Sequence, residues 1–180
     1  MAILLDPPVN DRDHVEGAPD AALTLVEFAD YECPFCGRVY GVIKALQQVL
    51  GPRLRVVFRN FPLPSSHAHA VLAAEAAEAA GAQGRFWPMH DQLFEHQDAL
   101  DFSDVVHYAA DLGLDLRQFE EDVRTHRFLA RVRADLRSGA HSGVDGTPTL
   151  FLNGRRHQGG SDFDSLWGAL TGAAETARLV

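Results

Sequence analysis

Residues 23–58 carry the pattern that limits the fold most. Leu23-Thr24-Leu25-Val26-Glu27-Phe28 is apolar and β-branched, the composition of a buried strand. Asp30-Tyr31-Glu32 is a short connection, and Pro34 suits the first turn of a helix, where its missing N–H is no loss. Apolar residues then recur at 39, 42, 43, 46, 49 and 50, a helical spacing stopped by Gly51-Pro52. Leu54-Arg55-Val56-Val57-Phe58 reads as a second strand. Strand, helix, strand in about 40 residues is a βαβ unit, so the two strands should be parallel.

From Ser65 to about Gly139 every signal is helical. Ser65 or Ser66 is placed to cap an alanine-rich helix ending at Gly81. A second helix runs over 86–94, with Phe86, Met89, Leu93 and Phe94 on one face. Ser103 caps a third that ends at Gly113. Asp115 opens a fourth, with Leu116, Phe119 and Val123 in register, and Phe128, Leu129, Val132 and Leu136 mark a fifth. Strand composition returns at Thr149-Leu150-Phe151-Leu152. Asn153-Gly154 then predicts a hairpin, because a tight two-residue turn needs positive φ at both positions. Ser161 caps a final helix containing Phe163, Leu166, Trp167 and Leu170. Residues 1–20, with three prolines and several charges, are expected to form an extended lead.

The expected architecture is therefore α/β, a thioredoxin fold (βαβ–ββα) with an all-helical insertion between its second and third core strands. The core covers 21–64 and 144–180, and the insertion covers 65–143. A chain of 180 residues can bury a sizeable core. The balance of 46% hydrophobic and 23% charged residues argues against disorder. A net charge of -9, with no basic patch standing out against it, excludes a nucleic-acid partner. No apolar run reaches membrane-spanning length, so no membrane insertion is expected. The stretch Ile3-Leu4-Leu5 is too short for a signal core and lacks a basic lead, which predicts a cytoplasmic protein.

Two cysteines cannot form a disulfide scaffold, and Cys33 and Cys36 sit where the first strand hands over to the first helix. A helix N-terminus favours a thiolate through its unpaired N–H groups and dipole. Cys33 at the mouth would be the attacking thiol, and Cys36, one turn in, would resolve the mixed disulfide. A zinc pair is the competing reading. It would need about four ligands, and His67-x-His69 does not follow the usual spacing. Inert core cysteines are the third. Gly146-Thr147-Pro148-Thr149 places a proline at a strand's entrance. A trans bond is the default there, and the cysteine pair favours cis.

The run Phe28-Ala-Asp-Tyr-Glu-Cys-Pro-Phe-Cys36, the Gly146-Thr-Pro148 loop and Phe86-Trp-Pro-Met-His-Asp-Gln-Leu-Phe94 together resemble the DsbA family of thiol–disulfide oxidoreductases. The resemblance is closest to leaderless cytoplasmic members, some of whose relatives are fused behind a sodium/proton antiporter domain. It implies a cis-Pro148 packed against Cys33 and the insertion as a lid over the cysteines. It also implies substrate peptides added as a strand beside Thr147 and Pro148, next to Pro34 and Phe35. The expected partners are a disulfide-bearing protein or small thiol and an unnamed redox partner, with the chain a monomer or weak dimer. No metal or organic cofactor is implied.

Phe35 departs from the family's strong oxidants, which carry a histidine there. Asp30 and Glu32 add negative charge that opposes ionisation of Cys33. The expected Cys33 pKa thus lies between the thioredoxin and strongly oxidising cases. Glu27 shares a strand face with Leu23 and Leu25, where a carboxyl group is costly without a task. The resemblance offers that task, proton acceptor for Cys36; a partly solvated strand end is the alternative. His67, His69 and His90 are expected as packing residues rather than site residues. Phe86, Trp87 and Met89 are expected in the insertion core rather than on a groove wall. The Glu75/Glu78 and Glu120/Glu121 pairs are expected on solvated helix faces. Two further functions compete with the oxidoreductase: a non-catalytic redox sensor or binding module, and a glutathione-dependent transferase or isomerase of the same fold.

Overall fold

The computed structural model describes residues 3–177, with side chains through 172. Residues 1–2 and 178–180, assigned above to the lead and the core, lie outside the described residues. The strands are β1 (His14–Glu16), β2 (Leu23–Ala29), β3 (Leu54–Asn60), β4 (Thr149–Leu152) and β5 (Arg155–Arg156). The helices are α1 (Pro34–Leu50), α2 (Ala70–Ala82), α3 (Phe86–Glu95), α4 (Phe102–Asp111), α5 (Leu116–Arg124), α6 (Leu129–His141) and α7 (Phe163–Ala177). The five strands form one sheet in the order β1-β3-β2-β4-β5. β2 and β3 are parallel, and the other neighbours are antiparallel. This is the thioredoxin arrangement, with α2 to α6 inserted between β3 and β4.

β2 is buried at all seven positions, because both faces of the sheet are covered. On one face Leu23, Leu25, Leu54, Val56, Leu150 and Leu152 meet the apolar stripes of α1 and α7. On the other, Val26, Phe28, Val57 and Phe151 pack against Leu5, Val144 and Phe61. Strand alternation puts Glu27 on the α1 face. Asn153 and Gly154, with φ of 48° and 78°, make the tight turn between β4 and β5. Among the described residues no helix is long and apolar enough to cross a membrane.

The lead is more structured than its composition predicts. β1 pairs antiparallel with β3, and Leu4 bridges Arg155 at the opposite edge. The chain therefore crosses one sheet face between the two edges. Arg59 organises that crossing: its buried guanidinium donates to Asp13 at 2.8 and 2.9 Å and to the Pro7 and Pro8 carbonyls. A three-residue strand has too little alternation to be visible in sequence.

Several caps move. Asp101, not Ser103, caps α4 in a reciprocal capping box with Asp104. Asp162, not Ser161, accepts from the Ser165 amide at the start of α7. Helix α2 starts at Ala70, later than the serines. Glu75 and Glu78 are not solvated: they are 1% and 5% exposed. Helix α2 is enclosed on most sides, and its acids find partners there. Glu75 accepts from His126 at 2.8 Å, and Glu78 from Asn60 at 2.8 Å while it faces His14 at 2.9 Å. Glu120 and Glu121 do lie on the outer side of α5, Glu120 bonded to Arg124.

Gly17 joins β1 to β2 with φ of +107°, and a Cβ there would stand 2.6 Å from the Leu54 carbonyl oxygen. Gly17→Ala should therefore cost about 1–3 kcal/mol of stability, read as a lower denaturation midpoint in urea. An unchanged midpoint would mean the lead contributes little to the fold.

Candidate active site

Cys33 occupies the N-cap of α1 in extended backbone (φ -75°, ψ 119°), and Pro34 opens the helix. The Cys33 amide donates to the Asp30 carbonyl at 3.1 Å, which closes the loop leaving β2. Both cysteines are free thiols; Cys33 is 4% exposed and Cys36 fully enclosed. The Thr147–Pro148 peptide is cis, and the Thr147 carbonyl accepts from the Cys33 sulfur at 3.6 Å. Residues more than a hundred positions apart in the chain thus meet at one sulfur.

The two thiols are driven in opposite directions. Hydrogen bonding from the Cys36 side chain is the main influence lowering Cys33 to about 5. The Cys36 and Phe35 backbones add to it, against the opposing effect of burial. That value lies between about 7 for thioredoxin and about 3.5 for the strongest oxidants. Cys36 is pushed far up, first by burial, then by its bond to Cys33 and by the charge of Glu27. Glu27 is 2% exposed, and its Oε1 has no hydrogen-bond partner among the described residues. Burial, reinforced by Cys33, raises it to about 8. The carboxyl group borders a crevice of about 10 Å³, room for one water at most, beside Lys44, Gln47 and His90.

The loop carrying Cys33 is tied down by carboxyl–imidazole pairs. Asp30, 1% exposed, accepts from the Glu32 amide at 2.9 Å, the Leu63 amide at 2.8 Å and His67 Nδ1 at 2.8 Å. Glu32 accepts from the His69 amide at 2.6 Å and pairs with His69 Nδ1 at 3.0 Å. Both histidines therefore face carboxyl groups rather than the cysteines. His90 is a packing residue: it lies among Tyr31, Phe58, Trp87 and Phe94, with Nδ1 3.1 Å from the Tyr31 hydroxyl. Burial holds it well below the ordinary histidine range, so it is neutral. Phe86 and Met89 are buried with it, and Trp87 is partly buried against the same core.

Gln97, in the loop after α3, was missed by sequence reasoning. Its Nε2 donates to the Tyr31 and Cys33 carbonyls at 2.6 and 2.9 Å, so the insertion grips the backbone of the cysteine loop. Gly37 leaves the space it needs: a Cβ there would lie 2.0 Å from Gln97 Oε1. No local pattern marks a glutamine for such a role. Pro34 and Phe35 are exposed at the helix mouth, and the Arg38 guanidinium lies 4.4 Å over the Phe35 ring. Beside them runs a groove of about 640 Å³, lined by Phe35, Val39, Pro148, Leu150, Arg38 and His157.

A family model described as thioredoxin matches residues 9–171. A protein named Na(+)/H(+) antiporter NhaA 1, from Mycolicibacterium gilvum (strain PYR-GCK), is 50% identical over 169 residues. The match covers 93% of this chain and 27% of that protein, so the chain spans about a quarter of the relative's length. The crystal structure of a thioredoxin-like oxidoreductase from Silicibacter pomeroyi DSS-3 is 27% identical. It superposes with a TM-score of 0.81 over 92% of this chain and 94% of that one. The thiol–disulfide exchange protein alpha-DsbA2 from Wolbachia pipientis has a TM-score of 0.79, 18% identity and coverage of 91% and 88%, a likeness of fold. The DsbA resemblance read from the motifs extends to the architecture, helical insertion included.

Glu27 holds its proton more tightly in the folded chain, at about 8 against 4.5 for the ordinary group. Its contribution to stability is therefore complete below about pH 4.5 and is lost as pH climbs through about 8. In the disulfide form, where the Cys33 charge is gone and burial alone raises Glu27, Glu27→Gln should gain on the parent as pH climbs above about 5, by up to about 1.4 kcal/mol per pH unit, measured by urea unfolding. Parallel stability profiles for the two proteins would show that Glu27 is solvated.

Proposed function

The chain belongs to the thioredoxin family, and from that premise we propose that it is a thiol–disulfide oxidoreductase working through Cys33 and Cys36. One observation carries the reading: a thiol held at about 5 at a helix mouth beside Thr147-Pro148, with a thiol held far up and a carboxyl group behind it. The Cys33 thiolate attacks a substrate disulfide, forming a mixed disulfide and releasing one substrate thiolate. Cys36 gives its proton to Glu27 and attacks the Cys33 sulfur. The second substrate thiolate leaves, and the protein holds a Cys33–Cys36 disulfide. Two electrons have passed to the substrate; the reverse sequence oxidises a dithiol. A carboxyl group raised to about 8 is a better base for a thiol than an ordinary one, because the two proton affinities are closer.

Thr147 and Pro148 would receive substrate backbone as an added strand, with Pro34 and Phe35 bordering the contact. The substrates are disulfides of proteins or small thiols. In a reducing cytoplasm, the setting this reading assigns, the protein works mainly as a reductase or isomerase. A second reading is favoured by the names of the relatives: a redox sensor associated with sodium/proton antiport.

Equilibration of the pair against a glutathione series, read by thiol trapping, tests the reading. A two-electron couple between about -270 and -120 mV is expected from the Cys33 value. Turnover of insulin disulfides is expected with it. A reversible couple without turnover would favour the sensor, and no couple would remove both readings. In Glu27→Gln, resolution of the mixed disulfide by Cys36 should slow about 10-fold or more and lose its rise toward pH 8. An unchanged profile would take Glu27 out of the proton path.

A further inference from the structure

The two residues between the cysteines bring no imidazole: they are Pro34 and Phe35. An imidazole reaches the same loop from elsewhere. His67 follows β3, in the connection leading to α2, and donates from Nδ1 to Asp30 Oδ2 at 2.8 Å. Asp30 is fully built in, since its two oxygens also take the Glu32 and Leu63 amides and its carbonyl takes the Cys33 amide. His67 is thereby fixed to the segment that ends in the attacking thiol. Its side chain is 19% exposed, and Nε2 has no partner among the described residues, so a second proton can be taken up there.

We propose that His67 is a positioning residue for Cys33: its imidazole, held on Asp30 from outside the Cys-Pro-Phe-Cys turn, offsets the negative charge that this acid brings to the segment ending in the attacking thiol. The inference rests on the oxidoreductase reading and adds the origin of its charge balance. It also accounts for Asp30 and Glu32. Each acid that would oppose ionisation of Cys33 is paired with an imidazole, Asp30 with His67 and Glu32 with His69. The groups around His67 are Asp30, Glu32 and Cys33; beyond them His69 pairs with Glu32 and is felt by Asp101. Asp30 raises His67 above the ordinary histidine range, and the charges of Cys33 and Glu32 act in the same direction. Cys33, at about 5, is already ionised over the range in which His67 titrates.

Coupling between two sites is reciprocal, so the charge of Cys33 must be visible at His67. The test is an NMR titration of the His67 imidazole in the dithiol and disulfide forms of the full chain, with its signal assigned by loss in His67→Gln. The expected midpoint is about half a pH unit higher in the dithiol form, and the difference shrinks in high salt. In His67→Gln, which keeps a donor for Asp30 and loses the charge, the Cys33 thiolate absorbance should appear about half a unit higher in pH. A midpoint identical in the two redox forms would overturn the proposal and leave the oxidoreductase reading standing. A disulfide that forms without turnover would remove the oxidoreductase reading and leave the redox-dependent midpoint measurable.

Discussion

A negative charge at Cys33 must be held where the residue is only 4% exposed, and the arrangement of the site follows from that constraint. Little water reaches such a thiolate, so the protein supplies hydrogen bonds in its place: the amides of the first turn of α1 and the Cys36 thiol. The same burial acts in reverse one turn further in. Cys36 has no comparable set of donors and is pushed up, and Glu27 is left with an unpartnered oxygen. Burial and hydrogen bonding thus separate two chemically identical thiols into one that ionises readily and one that holds its proton. The carboxyl group that could take the second proton is raised by burial as well.

That arrangement depends on contacts made far from the cysteines. The insertion does more than cover the site. Gln97 holds two carbonyls of the cysteine loop, and the start of α2 sits on Glu32. The insertion is in turn fastened to the sheet by a polar seam rather than by apolar packing alone. Asp135 of α6 accepts from the Asn60 amide at 3.0 Å and bonds Arg131, and Glu78 of α2 joins Asn60 to His14 of β1. Buried acids of this kind are tolerated only as sets. Removing one partner leaves a charge or donor unmatched and costs about 3–5 kcal/mol. β1 and the residues before it belong to the seam through Asp13 and Arg59, so the lead is part of the fold.

The elements with strong periodicity were legible: the βαβ unit, the hairpin at Asn153-Gly154, and helices α3, α5 and α7. Their signals are local, and the residues that make them also bury them. The failures share one cause. Ser65, Ser66, Ser103 and Ser161 are plausible caps judged by residue type, but an aspartate one or two positions away, or Glu32 from another element, had the better geometry. Glu75 and Glu78 occupy helix positions that composition assigns to solvent, and only the neighbouring helices and β1 enclose them. Gln97 carries no pattern at all.

The sequence by itself determined the chemistry available to this protein: two thiols three residues apart at a strand–helix junction, a Thr-Pro pair at a strand's entrance, and an acid on the apolar face of β2. Each follows from residue type and short-range periodicity. The tertiary structure decided how those groups are charged. Cys33, Cys36, Glu27, Asp30, His67 and Thr147 come from segments spread over more than a hundred residues. Their proton affinities depend on distance and solvent exposure, neither of which a linear pattern encodes. Which thiol ionises, which holds its proton and which imidazole accompanies the thiolate are therefore properties of the packed molecule.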